Sequence, residues 1–124
     1  MTDVLLTDRE AEVMDVLWKH GPSVVAEVRE RLPEEFAYTT VLTVLRTLET
    51  KGYVQHESDG RGHRYSAAVQ QRAARRSALR HLTSKLFDGS RELLLTHLVS
   101  DKRLTQAELR KLRELLDQFG PEQK

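Results

Sequence analysis

Residues 39–67 read TTVLTVLRTLETKGYVQHESDGRGHRYSA, and the fold turns on them. Val41, Val44, Leu45 and Leu48 recur at i, i+3, i+4 and i+7, the apolar stripe of one face of an α-helix. The spacing predicts a helix from Thr39 or Thr40 to Lys51, with Gly52 as the terminating residue. The opposite face carries Thr40, Thr43, Arg46, Thr47 and Thr50. Threonine is a mediocre helix former, and a merely solvated face would favour Glu, Lys or Gln. This face is composed for contact. Downstream, residues 53–57 and 63–67 flank a loop, 58–62, whose two glycines predict a β-hairpin. In the expected register His63 lies opposite Glu57, and His56 opposite Arg64.

Upstream, Thr7-Asp-Arg-Glu10 spells a capping box. The helix it opens places Ala11, Val13, Met14, Leu17 and Trp18 on a buried face, and Gly21-Pro22 stops it. Ser23 is the expected N-cap of a second, short helix carrying Val24, Val25, Val28 and Leu32, closed by Pro33. Three helices followed by a hairpin is the order of a winged helix-turn-helix. In that fold the third helix lies in the DNA major groove and the hairpin touches the flanking backbone. A threonine hydroxyl can bond a base edge or a phosphate, its methyl can meet a thymine methyl, and Arg46 can reach guanine O6 and N7. Arg61, His63 and Arg64 stand at and after the glycine-rich tip, where the backbone can approach a duplex. Two other readings of the same residues are a solvated amphipathic helix and a module that offers its threonine face to a protein.

From Val69 onward the texture is helical. A fourth helix, to about Phe87, carries Leu79, Leu82 and Leu86 on one side and Arg72, Arg75, Arg76 and Arg80 on its others. Asp88-Gly89-Ser90 breaks it. A fifth carries Leu93, Leu94, Leu95, Leu98 and Val99, too many apolar residues for a single stripe. Thr105-Gln-Ala-Glu108 is a second capping box, and opens a sixth helix with a seam of Leu109, Leu112, Leu116 and Phe119. So short a segment makes a poor independent core. Pairing two copies would cover its leucines, and an isologous dimer is the commonest such arrangement. Folding back onto the first three helices as a monomer is the alternative. The expected architecture is mainly α with a small β-hairpin: a winged helix-turn-helix over residues 1–68 and a three-helix dimerisation region over 69–124.

Composition narrows the function. The net charge of +1 conceals a net of −4 over residues 1–68 and +5 over 69–124, so charge alone does not argue for nucleic acid. With no cysteine, disulfides, thiolate metal sites and cysteine nucleophiles are excluded. No apolar run approaches the roughly 20 residues of a membrane span, and the first residues lack a signal-like pattern, so a cytoplasmic location is expected. The five histidines have no metal-ligand spacing, and His56 and His63 read as a surface pair in the wing. Neither GxSxG, GxxxxGK[ST] nor GxGxxG occurs. Neither an enzyme nor a cofactor is expected.

Leu6-Thr-Asp-Arg-Glu-Ala-Glu-Val-Met-Asp-Val-Leu-Trp18, Ala37-Tyr-Thr-Thr-Val-Leu-Thr-Val-Leu-Arg-Thr-Leu48, Lys51-Gly-Tyr-Val54 and Gly62-His-Arg-Tyr65 resemble the penicillinase-repressor (BlaI/MecI) family. The resemblance covers essentially the whole chain, more weakly in the leucine-rich part. It implies a homodimeric winged-helix repressor on a palindromic double-stranded DNA operator, often of β-lactamase or penicillin-binding-protein genes. It matches Thr40 and Thr43 to base-contacting positions. Tyr38, Thr39, Arg46 and Thr47 match the base- or phosphate-contacting flanks, and Arg64 a wing position near the backbone. It further implies relief of repression by a membrane metalloprotease sensor that cuts an Asn-Phe bond in the fifth helix. Thr96-His97 stands there in this chain, so that dipeptide is absent. Cleavage within residues 93–100, cleavage elsewhere, and release by a small-molecule ligand are then the alternatives. Relatives that respond to copper use C-terminal cysteines, and this chain has none.

Overall fold

The computed structural model describes residues 3–60, 62–101 and 104–119. The element order is α1 (Asp8–His20), β1 (Ser23–Val24), α2 (Val25–Arg31), α3 (Tyr38–Thr50), β2 (Val54–Ser58), β3 (His63–Ala67), α4 (Gln71–Leu86), α5 (Arg91–Asp101) and α6 (Gln106–Gln118). It is the helix–helix–helix–hairpin order of a winged helix-turn-helix followed by three further helices. Contacts gather the chain into two compact units, one ending at His81 and one beginning at Leu82.

The first unit is built on α1. The Thr7 N–H donates to Glu10 Oε1 at 2.8 Å and the Glu10 N–H to Thr7 Oγ1 at 3.2 Å, the capping box its spelling predicts. Gly21, at φ 80°, ends the helix by donating to the Leu17 carbonyl. Val13, Met14, Val16 and Leu17 are buried, whereas Ala11 is exposed and Trp18 half-buried. The Trp18 indole N–H donates to the Val69 carbonyl at 2.9 Å. Val25, Val28, Leu32, Val41, Leu45, Leu48, Tyr53, Val54 and Tyr65 close the same core.

The sheet differs from its expected form in two ways. Ser23 is not the cap of α2. It is buried in a two-residue strand that pairs with Tyr65, giving three antiparallel strands in the order β1-β3-β2. Val24 takes the cap position, and since valine has no acceptor only half the capping arrangement exists, Glu27 Oε1 accepting from the Val24 N–H at 3.0 Å. The hairpin register is also one residue from the expected one, with His56 opposite Tyr65, Glu57 opposite Arg64 and Ser58 opposite His63. Residues directly opposite share a face, so this register puts Val54 and Tyr65 together on the core side. The expected register would have sent them to opposite faces.

The greater part of α4, as far as His81, belongs to the first unit, which therefore extends past residue 68. Ala74 and Ser77 are buried, the Val4 N–H donates to Ser77 Oγ at 3.1 Å, and Arg80 pairs with Asp3 at 2.7 Å.

In the second unit Asp88 and Gly89 adopt left-handed conformations, φ 54° and 75°, that end α4. Ser90 Oγ accepts from the Leu93 N–H to start α5, and the Thr105–Glu108 capping box starts α6. No residue of α6 is buried. Leu95 and Val99 of α5, Leu109, Leu112, Leu115 and Leu116 of α6 and Phe119, which caps α6, line an open apolar groove of about 300 Å³. Leu93 and Leu98 of α5 are exposed and outside this groove, and Leu82 and Leu86 are exposed as well. Leu94 is half-buried, and Leu79, on the part of α4 in the first unit, is exposed. No helix among the described residues is long and apolar enough to cross a membrane.

Candidate nucleic-acid interface

Burial of Val41, Leu45 and Leu48, with Leu42 and Val44 packed beside them, fixes the rotation of α3. That rotation leaves Tyr38, Thr39, Thr43, Arg46, Thr47 and Thr50 exposed and Thr40 half-buried. Thr50 turns inward on its own helix, its hydroxyl donating to the Arg46 carbonyl at 3.0 Å. Among the described residues no hydrogen bond or ion pair engages the Arg46 guanidinium or the hydroxyls of Thr39, Thr43 and Thr47. Ala37 caps α3 without a side-chain bond, so the first-turn N–H groups beside Thr39 are donors without a side-chain acceptor. The face presents hydroxyls, methyls, one phenol and one guanidinium, the donor and acceptor set suited to base edges and phosphates.

The hairpin stands beside the C-terminal end of α3. Its tip closes with the Asp59 N–H donating to the Gly62 carbonyl at 3.1 Å, Gly60 taking the left-handed conformation at φ 85°. Arg61 lies outside the described residues. His63 is exposed, and its ring lies tilted at 47° against that of His56, with centroids 4.1 Å apart. Arg64 is turned back toward the protein. Its Nη1 donates to the Pro22 carbonyl at 3.3 Å and lies 3.6 Å from Glu27, while Nη2 lies 3.3 Å from Asp59. It braces the wing against α2.

Three features of this region escaped the sequence. Glu49, in the last turn of α3, meets His56 Nδ1 at 2.6 Å and joins the helix to the wing. Arg9 of α1 lies over the Phe36 ring, 4.5 Å from its centroid, in an open cleft of about 600 Å³ shared with Thr43 and Thr47. Glu10, buried, receives Lys51 Nζ at 2.8 and 2.9 Å and so links the start of α1 to the end of α3. Spacing along the chain signals none of these, because each pair meets only once the helices pack. Burial pushes the Glu10 carboxyl up, but the Lys51 ammonium and the Thr7 N–H together hold it below its ordinary value. The Tyr65 phenol is raised, chiefly by burial and then by Glu49. Among the described residues no three His, Asp or Glu side chains gather as metal ligands.

In the second unit Thr96 and His97 are exposed on α5. The Thr96 hydroxyl donates to the Glu92 carbonyl, and the His97 ring stands edge-on to Phe87 at 5.4 Å.

The chain is similar to known proteins. The penicillinase repressor family model matches residues 6–118. The transcriptional regulator BlaI of Mycobacterium tuberculosis is 40% identical over 99 residues, 76% of this chain and 71% of that protein. The penicillinase repressor of Bacillus licheniformis is 24% identical over 115 residues, 91% of this chain and 90% of that one. Among solved structures, that of monomeric Bacillus licheniformis BlaI in complex with the blaP half-operator is 30% identical. It covers 56% of this chain and 88% of its own, with a TM-score of 0.49.

Proposed function

The chain belongs to the penicillinase repressor family, and from that membership we propose that it is a DNA-binding transcriptional repressor acting as a homodimer on a palindromic operator. The observation that carries this reading is the exposed face of α3, on which the Thr39, Thr43 and Thr47 hydroxyls and the Arg46 guanidinium have no hydrogen-bond or ion-pair partner among the described residues. In this reading α3 enters the major groove. Thr40, Thr43, Arg46 and Thr47 meet base edges, and Tyr38 and Thr39 meet the phosphates at its entry. Arg61 and His63 approach the flanking backbone, with Arg64 holding the wing in place. The relatives' names, penicillinase repressor and methicillin resistance regulatory protein, point to genes answering cell-wall antibiotics. The family is one of repressors, not of enzymes.

Dimerisation is supported by the second unit, most of whose leucines remain exposed and whose apolar groove a second copy would cover. A two-fold dimer carries two copies of α3, which suits a palindrome. Repression is steric: a dimer on the promoter excludes polymerase. Relief follows from separating the two copies, since each would retain its α3 but lose the gain of joint binding. A cut by a membrane metalloprotease sensor near Thr96 and His97 would do this. Both residues are exposed but helical, so α5 must open locally before a protease can engage its backbone.

The test is selection of duplexes from a random pool by the full chain, followed by gel shift with selected and scrambled duplex. The reading expects a palindromic consensus and at least about a thousandfold preference for it. A chain that retains no duplex, or retains all equally, is not a sequence-specific repressor. Immunoblotting of the native cell after a cell-wall antibiotic tests relief. A fragment ending within residues 93–100 supports cleavage there, and full-length protein leaving its operator refutes it.

A further inference from the structure

The border of the α3 face nearest α1 holds a second cation. We propose that Arg9 is a phosphate clamp, taking a backbone oxygen of one DNA strand while α3 lies in the adjacent major groove. This rests on the DNA-binding reading above and extends it to a residue outside α3 and the wing.

Arg9 sits in the first turn of α1 with its Cζ 4.5 Å from the centre of the Phe36 ring. A guanidinium laid on an aromatic face keeps its N–H donors at its edge, free to meet an anion. Among the described residues no ion pair or hydrogen bond takes up those donors. Phe36 is itself held, its carbonyl accepting from Arg29 Nε at 2.7 Å. The guanidinium is thus restrained before DNA arrives, which lowers the entropy cost of binding.

Position selects phosphate over base. Arg9 shares its cleft with Thr43 and Thr47 of the α3 face. A helix in a groove about 12 Å wide is flanked on both sides by sugar-phosphate chains, and in helix-turn-helix docking an earlier helix crosses the backbone. Charge makes Arg9 decisive. Asp8, Glu12 and Glu34 border the same cleft, whereas Glu10 is matched by Lys51. Without Arg9, three carboxylates would face a polyanion. Its removal would therefore abolish the phosphate bond and also uncover repulsion.

Binding isotherms of the full chain on its selected operator and on scrambled duplex, across a salt series, test this. Arg9→Ala should weaken both by about tenfold or more and shallow the slope of log K against log salt by about 0.9. Arg9→Lys, which keeps charge but not the stacked fork, should fall between. Adding Glu34→Gln to Arg9→Ala should recover part of the loss. Thr43→Ala serves as the control for the α3 face, and thermal melts confirm folding of each variant. If Thr43→Ala weakens binding while Arg9→Ala matches wild type, the clamp is overturned and the α3 reading stands. A loss confined to one base pair, with the salt slope unaltered, would make Arg9 a base reader and overturn the clamp. A wild-type chain that binds no duplex overturns the DNA-binding reading and the clamp with it.

Discussion

Thr43 and Arg46 project into solvent from a helix whose other face is packed, so truncating either removes nothing the core uses. Thr43→Ala and Arg46→Ala should leave the melting temperature nearly unchanged. Each should weaken operator binding by about 1–3 kcal/mol for every base it no longer reads, and relax preference at the corresponding base pair. Operator titration with single-base variants measures both, and wild-type affinity in both mutants would remove α3 from the interface. Glu10 is the opposite case, a buried carboxylate with a structural task. Its carboxyl is held below the ordinary value in the folded chain, so its contribution is complete above the unfolded value. That contribution fades as pH falls and is lost as pH passes through the folded value. Glu10→Gln should therefore be less stable at neutral pH, by about 1–2 kcal/mol because Lys51 is partly exposed. It should also lose less stability than wild type between about pH 6 and pH 3. Urea unfolding across that range checks the sign, and parallel acid limbs would show that Glu10 is not the titrating group.

At the level of elements, side chains of the wing add to the strand pairing of β3 with β1 in holding it to its surroundings. His56 meets Glu49 of α3 on one side, and Arg64 meets Pro22, Glu27 and Asp59 on the other. An arginine so engaged orients the hairpin before it can neutralise a phosphate. Arg64→Ala should raise amide hydrogen exchange across residues 58–63 while leaving α1 and α3 as protected as before. Arg64→Lys should restore little, because an ammonium lacks the fork that reaches a carbonyl and two carboxylates at once. Arg61→Ala should instead leave exchange in β2 and β3 unchanged and shallow the salt slope by about 0.9. If Arg64→Ala alters the salt slope without loosening the hairpin, its role is direct contact with DNA.

For the molecule as a whole, the exposed leucines of the second unit separate assembly from DNA contact. Leu112 lies in the apolar groove of α5 and α6 and is exposed in the single chain, so a charge there is tolerated by the monomer. In a dimer closed over that groove the same charge would be buried without a partner. Leu112→Glu should sediment as a monomer and lose most of its affinity for the full palindrome, while keeping wild-type affinity for a single half-site. A Leu112→Glu chain that remains dimeric would move the interface away from this groove.

Much of this was legible along the chain because the forces involved are local. The two capping boxes, the Gly21 stop and the α3 stripe each depend on residues three, four or seven apart, and a helix brings such residues together whatever surrounds it. The threonine face followed from that stripe, since burying one side of a helix exposes the other. What spacing could not supply are meetings between distant segments. Ser23 resembled a helix cap because serine usually serves there, but Tyr65, 42 residues away, drew it into a strand. The one-residue difference in hairpin register came from the core's demand for Val54 and Tyr65 on a single face. Arg64 looked free at the wing until Glu27 and Asp59 were brought to it, and Arg9 looked like an ordinary surface arginine until Phe36 lay beneath it. Local spacing determines which elements form and which way each faces. Only the packing of those elements decides which side chains share a site, because that depends on the geometry of one core and on no repeat in the sequence.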